Sequence, residues 1–125
     1  MKKLNKAVTP LEKFTAKVIN AKIEKQYTVQ QILADLLSHG CQSGMINELI
    51  YYSDTVEFYQ KHKKEITPLL RDICSDSGCT PAELFADKWN DDDFFADEQQ
   101  NQNLLAWFGF EETARILADR NGIEI

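Results

Sequence analysis

The feature that most constrains this chain is the recurrence of apolar residues at steps of three and four. The most periodic stretch follows Ser43 and has apolar residues at Met45, Ile46, Leu49, Ile50, Tyr52, Val56 and Tyr59. This spacing places the apolar side chains on one face of an α-helix, whereas a half-buried strand requires alternation. Only the tail, residues 123–125, resembles a strand. The pattern predicts an all-α fold with little or no β-structure.

Helix start and stop signals divide the first part of the chain. Thr9 can cap free backbone N–H groups, and Pro10 follows it at the first helical position, where its missing N–H costs nothing. Thr28 predicts a second helix over residues 29–38, which Gly40 would close. A third helix is predicted to open at Ser43.

Similar signals continue through the second half. The third helix is predicted to end near His62, either unbroken or as two pieces divided at residues 53–55, whose side chains can bond to the backbone. A new helix is predicted to have Pro68 in its first turn, since proline disrupts a helix interior. Thr80 and Glu83 form a capping-box pattern that predicts a short helix. The last helix is predicted to start within residues 97–103 and to stop before Gly122, with a break or a close helix crossing at Gly109.

Length and composition indicate one domain. The chain has 125 residues, of which 43% are hydrophobic, and this is enough for one continuous core. We therefore expect a compact single-domain bundle of about five to seven helices over residues 9–125. Residues 1–8 are predicted to form a flexible basic N-terminal segment.

Charge is distributed unevenly. Residues 1–25 contain seven lysines and two glutamates, a net charge of +5. The formal charge of the whole chain is −6, so residues 26–125 carry a net charge of −11. Phosphates would repel this larger part of the chain, and direct nucleic-acid binding is not expected. An acidic surface that could meet a basic partner is predicted from Asp87, Asp91, Asp92, Asp93, Asp97 and Glu98.

The sequence also suggests a compartment. No apolar run approaches the roughly 20 residues that span a bilayer, and the first residues lead into charged sequence, so we expect a cytoplasmic protein that does not enter membranes. The three cysteines, Cys41, Cys74 and Cys79, should remain thiols there. Cys74 and Cys79 could be half of a zinc site, but a core position for Cys74 and a turn position for Cys79 are favoured. We expect no cofactor and no bound metal.

Catalytic residues are hard to identify in this sequence. The weak candidates are His39, Cys41, Glu48 and Asp54, which could serve a metal- or thiol-dependent hydrolase, with His62 as a further partner. The carboxylates Asp54 with Glu57, and Glu111 with Glu112, are the nearest material for a magnesium site, although surface charge on helices explains both. His39 before Gly40 is equally typical of a helix end.

Two further groups could bind a partner. The polar candidates are Gln42, Ser43, Tyr51, Asp54, Asn101 and Asn103, for which helix capping and core hydrogen bonding is the favoured interpretation. The aromatic group comprises Trp89, Phe94, Phe95, Trp107, Phe108 and Phe110, and core packing is favoured for it over an exposed contact surface.

Several of these segments also carry a resemblance. The chain resembles a family of small uncharacterised proteins encoded by bacterial prophages and other mobile elements, through residues 39–45, 49–55, 58–59 and 101–108. The likeness covers about residues 30–118. It implies a bacterial cytoplasm and an accessory role, and it implies no particular activity.

The functional hypotheses follow in order of preference. The first is a non-enzymatic helical interaction module that binds another protein or a second copy of itself. The second is an acidic mimic of nucleic acid that inhibits a host DNA-targeting enzyme, since carboxylates can stand in for phosphates. The third is the small hydrolase.

Overall fold

A computed structural model describes residues 3–39, 43–46, 52–80, 83–84 and 98–124 of the chain. For residues 52–56 and 98–103 only the backbone is described. Within these ranges the chain forms four long helices and no strand: α1 (Pro10–Lys25), α2 (Val29–His39), α3 (Tyr52–Ser77) and α4 (Glu98–Arg120). The all-α class is thus confirmed. The five to seven helices predicted from the sequence exceed the four seen in the described residues.

Local capping explains where the helices begin. The Thr9 hydroxyl accepts the Glu12 N–H at 3.2 Å, and the Glu12 carboxylate accepts the Thr9 N–H in return. Thr28 makes the same reciprocal pair with Gln31, so α2 begins where the sequence predicted. The predicted capping box of Thr80 with Glu83 is also present, and most other residues of the short helix predicted there lie outside the described part of the chain.

The helix break predicted between His62 and Pro68 is wrong. α3 runs without interruption through both residues, with Pro68 inside it. An interior proline removes one backbone hydrogen bond and strains the preceding turn, which commonly costs about 3 kcal/mol. Apolar packing on both sides offsets that cost, because Ile66 is buried and Leu69 packs against the core. Tertiary burial therefore overrides the local signal.

The predicted helix start at Ser43 is also wrong. Ser43 is not helical and is followed by a turn over Gly44–Ile46. Residues 47–51 lie outside the described part of the chain. The Ser43 hydroxyl donates to the Asp35 carboxylate of α2, so it binds a neighbouring helix rather than the first turn of its own.

The buried core takes side chains from all four helices. α3 and α4 make the most extensive helix contact, and α1 packs on α4 and α2. At the α3–α4 crossing, a Cβ atom added to Gly109 would lie 2.5 Å from the Ile66 Cγ1 atom. The close crossing predicted at Gly109 is therefore confirmed, and α4 continues through it without a break. Gly122 adopts φ 66° just after α4, as its predicted role as a stop requires.

The aromatic residues of α4 belong to this core. Trp107, Phe108 and Phe110 are all buried, which confirms the favoured interpretation for them. Trp89, Phe94 and Phe95 lie outside the described residues. None of the described helices combines the length and the apolar content that crossing a membrane would require.

Residues 3–8 lie across α1 and the end of α4. The Leu4 backbone exchanges two hydrogen bonds of 2.8 Å with the Asn20 side chain, and Leu4 is buried. The Asn5 backbone exchanges bonds of 3.1 and 2.9 Å with the Asn121 side chain. We call these residues, with Lys6, Glu12 and Arg120, the N-terminal clasp. The predicted domain bounds remain a prediction; within this segment Leu4 packs into the core, whereas Val8 is 71% exposed.

Candidate functional site

The first polar cluster joins the end of α2 to the turn that follows it. The Ser43 hydroxyl donates to Asp35 Oδ2, and the Met45 N–H donates to the same oxygen at 3.3 Å. His39 Nε2 lies 4.0 Å from Asp35 Oδ1. The structure thus brings together two residues predicted from the sequence, His39 and Ser43, through a carboxylate that was not predicted.

The order of contacts in this cluster determines its chemistry. A serine nucleophile needs a base that takes its proton and a face open to substrate. Here the Ser43 hydroxyl is directed at Asp35, the imidazole approaches only the other carboxylate oxygen, and Ser43 is fully buried. Asp35 therefore acts as a cap that holds the Ser43 turn to α2. His39 is mostly exposed beside it.

The second cluster surrounds His62 on α3. Its ring lies 4.8 Å from the Phe58 ring and 6.0 Å from the Phe14 ring, measured between centroids. His62 Nδ1 is 3.9 Å from Glu65 Oε2, and that oxygen accepts the Leu11 N–H at 3.1 Å. Glu65 thus caps the N-terminus of α1 from a different helix, where a negative charge is stabilised by the helix dipole.

Burial decides the charge of His62. The side chain is only 3% exposed, and this desolvation lowers its pKa, with Glu65 opposing the shift and Lys61 adding to it. His62 is therefore neutral at pH 7. Its described contacts are aromatic rings and one carboxylate, so it acts as a packing residue in the α1–α3 interface.

The third cluster is the charged centre of the N-terminal clasp. Arg120 donates to both Glu12 carboxylate oxygens, at 2.5 and 3.0 Å, and Arg120 Nη1 also donates to the Lys6 carbonyl at 3.2 Å. The hydrogen bond from Arg120 lowers the pKa of Glu12, against the raising effect of burial, and the same bond raises the pKa of Arg120. Glu12 also accepts the Val8 N–H at 2.9 Å. The carboxylate is fully used by these contacts.

The remaining predicted site residues are only partly described. Asp54, Asn101, Asn103 and Glu98 lie in helices, but their side chains are not described. The predicted residues outside the described ranges are Cys41, Gln42, Glu48, Tyr51, Asp87, Asp91, Asp92, Asp93 and Asp97. The hypotheses that rest on them remain predictions.

The described metal candidates occupy ordinary structural positions. Cys74 is buried, and Cys79 is partly exposed in the turn after α3. The favoured core position of Cys74 and turn position of Cys79 are thus confirmed. The surface interpretation of Glu111 is wrong, because that side chain is buried. Glu112 forms an ion pair on the same helix, with its Oε1 atom 3.4 Å from Arg115 Nε. Among the described residues, no group of three histidine, cysteine, aspartate or glutamate side chains is arranged to hold a metal.

Sequence reasoning missed the three residues that organise these clusters: Asp35, Glu65 and Arg120. Each binds a group on another element, and the Glu12–Arg120 contact spans 108 residues of sequence. A local signal existed only for Glu12, which stands three residues after Thr9 as in a capping box.

The geometry defines a small helical domain in which polar clusters join the helix ends. A family model described as a domain of unknown function, DUF7222, matches residues 10–124. The chain belongs to this family. No curated protein and no solved structure matches it.

Proposed function

We propose that this protein is a non-enzymatic helical interaction module that binds another protein through the outward face of α1. The observation that carries the proposal is a contrast between two kinds of polar residue. Ser43 and His62 are engaged in structural contacts, whereas two lysines on α1, Lys13 and Lys17, face solvent.

The contacts of Ser43 and His62 argue against the hydrolase hypothesis. Ser43 is buried and donates to Asp35, and His62 is buried between aromatic rings. A nucleophile or a general base must reach the substrate. His39 is the one described candidate on the surface, and its described neighbour is Asp35, which already accepts two hydrogen bonds.

The lysine face supports binding to an acidic partner. Lys13 and Lys17 stand one turn apart on α1 and are exposed, and neither has an ion-pair partner within the described residues. Val8, which precedes the same helix, is 71% exposed. Exposed cations without ion-pair partners suit a partner that presents carboxylates.

Sequence charge supports the second candidate, a carboxylate mimic of nucleic acid. Residues 26–125 carry −11, with a dense run from Asp91 to Asp93. The resemblance to prophage proteins through residues 39–45 and 101–108 supports an accessory role in a bacterial cytoplasm, which is part of the same proposal.

The test is an affinity capture from bacterial lysate with the tagged full chain at moderate and at high salt. The α1 variant is K13E with K17E, and its matched control is K63E with K64E, two adjacent exposed lysines on α3. We expect a protein that the wild type and the control retain and the α1 variant loses, with weaker capture at high salt. Circular dichroism of both variants verifies that they fold.

Other outcomes separate the alternatives. Capture that survives the α1 variant but is lost when Asp91, Asp92 and Asp93 become asparagine favours the mimic, particularly if the captured protein binds DNA. No capture at either salt contradicts the interaction proposal. Nucleotide or ester hydrolysis that disappears in H39A would replace it with the hydrolase.

A further inference from the structure

The end of α3 has a backbone arrangement that brings two cysteines together. After Ser77 the chain turns at Gly78, whose φ of 67° is readily adopted by glycine. The Gly78 N–H donates to the Ser75 carbonyl at 3.4 Å, and the Cys79 N–H donates to the Cys74 carbonyl at 3.0 Å. These two bonds are the Schellman motif, which closes many helices.

The motif determines which side chains meet. A Schellman turn usually places two apolar side chains in contact, one from the last helical turn and one from the second residue after the helix. In this chain those positions are held by Cys74 and Cys79, so the two backbone bonds place their side chains on the same side of the helix end. Because the backbones are already joined, linking the two sulfur atoms requires no helix to move.

The two thiols differ in access. Cys74 is 8% exposed, whereas Cys79 is partly exposed. Burial raises the pKa of the Cys74 thiol, and the neighbouring Cys79 thiol adds to that effect. Cys74 is thus shielded from direct attack, and Cys79 is the first thiol that an oxidant meets.

We propose that Cys74 and Cys79 form a reversible redox site, which a small-molecule disulfide of the glutathione type converts into an intramolecular disulfide. In the first step the Cys79 thiolate attacks one sulfur of the reagent. The reagent S–S bond breaks, a mixed disulfide forms on Cys79, and one reagent thiolate leaves. In the second step the Cys74 thiolate attacks the Cys79 sulfur and releases the other reagent thiolate.

The exchange balances. Two electrons pass from the cysteines to the reagent, and the two cysteine protons end on the two released thiolates. Excess reduced reagent reverses both steps. The product cross-links residues 74 and 79, so oxidation fixes the end of α3 immediately before the Thr80–Glu83 capping box.

The experiment uses the full chain with C41S, which leaves only the cysteine pair. The protein is equilibrated in mixtures of reduced and oxidised glutathione, quenched with an alkylating reagent and weighed by mass spectrometry. We expect both thiols to disappear together in one transition with the slope of a two-electron couple, and the unalkylated product to lack two hydrogen atoms. The same result in the wild-type chain would show that C41S is harmless.

Single variants test the order of attack. C74S should stop at a stable glutathione adduct on Cys79, whereas C79S should react many times more slowly because the remaining thiol is buried. The proposal is overturned if the C41S chain also stops at the adduct, if its two thiols are lost in separate transitions, or if it links two chains instead. These three outcomes are measured on the C41S chain itself, so they test the proposal even if C74S or C79S fails to fold.

Discussion

The α3–α4 crossing and the N-terminal clasp both join distant parts of the chain, but they do so by different means. At the crossing, Ile66 lies against Gly109, and the Phe58 and Phe110 rings meet edge-on with centroids 6.5 Å apart. At the clasp, a glutamate and an arginine meet at the ends of two helices. The crossing depends on shape, whereas the clasp depends on charge and hydrogen bonds.

This difference shows which disturbances each region should resist. A close apolar contact does not depend on pH or salt but tolerates no added atom, because protein interiors are close-packed. A paired carboxylate tolerates small changes of shape but loses its contribution when it is protonated.

The largest effect is expected at the crossing, from Gly109→Val. The added side chain would overlap Ile66, which is 1% exposed and belongs to the hydrophobic core. We expect a loss of about 3 kcal/mol of unfolding free energy, measured by denaturant titration. Gly44→Ala is the control, because nothing lies within 4 Å of an added Cβ there, and it should change little.

A double variant sharpens this prediction. If overlap with Ile66 causes the loss, then Gly109→Val should cost clearly less in an Ile66→Ala background than in the wild type. Equal costs in both backgrounds would show that the crossing is not limited by this contact.

The next effect is expected at the clasp, from Glu12→Gln. The variant keeps the shape of the side chain but loses its charge-assisted bonds to Arg120, and we expect a loss of about 1.5 kcal/mol at neutral pH. Glu83→Gln is the matched control, since Glu83 occupies the same capping-box position with exposed surroundings, and its cost should be smaller.

The contribution of Glu12 in the clasp to stability should decrease as the pH falls. The pKa of Glu12 is lowered in the folded protein, so its stabilisation is complete above the usual glutamate range, near 4.5, and is lost as the pH falls below it. The stability gap between wild type and Glu12→Gln should therefore narrow with acidification. A gap that is constant from neutral to strongly acidic pH would contradict the pairing.

A smaller effect is expected at His62, where α1 and α3 meet. Its pKa is lowered by burial, so the unfolded chain takes up the proton first, and stability should begin to fall as the pH drops through about 6.5. His62→Leu should remove this part of the pH dependence, as followed by thermal melting at several pH values. His39→Gln, at the other histidine, should leave the His62 component in place.

The smallest effect is expected for Lys3→Ala. Lys3 pairs with Glu24, but both side chains are largely exposed, and solvent and salt screen such pairs. We expect a melting temperature that cannot be distinguished from the wild type. A clear decrease that disappears at high salt would instead extend the charged part of the clasp to this pair.

The sequence was most informative where the physical cause is local. Thr9 and Thr28 act on N–H groups within one turn, and Gly122 has the left-handed φ that ends α4. Even the close crossing could be predicted, because a glycine inside a long apolar pattern suggests a neighbour at short range. Pro68 was misinterpreted because its local cost is offset by burial that the sequence does not display.

The candidate site was much less predictable. His39 and Ser43 could be selected as polar residues near a predicted helix end, but Asp35, which joins them, lies in the middle of an amphipathic pattern. Asp35 has this role because the turn after α2 brings Ser43 back to its carboxylate. Glu65 is hidden for the same reason, because it accepts the N–H of Leu11, which lies 54 residues earlier in the sequence.

The meeting of Asn5 and Asn121 has one further consequence, for the connectivity of the chain. Because these residues exchange hydrogen bonds, the two ends of the bundle emerge side by side, and a short glycine-serine linker could join them. A new opening could then be cut at Gln26, an exposed residue between α1 and α2 whose φ of 139° is strained for a side chain other than glycine. Such a circular permutant would keep every helix while changing the order in which they are synthesised.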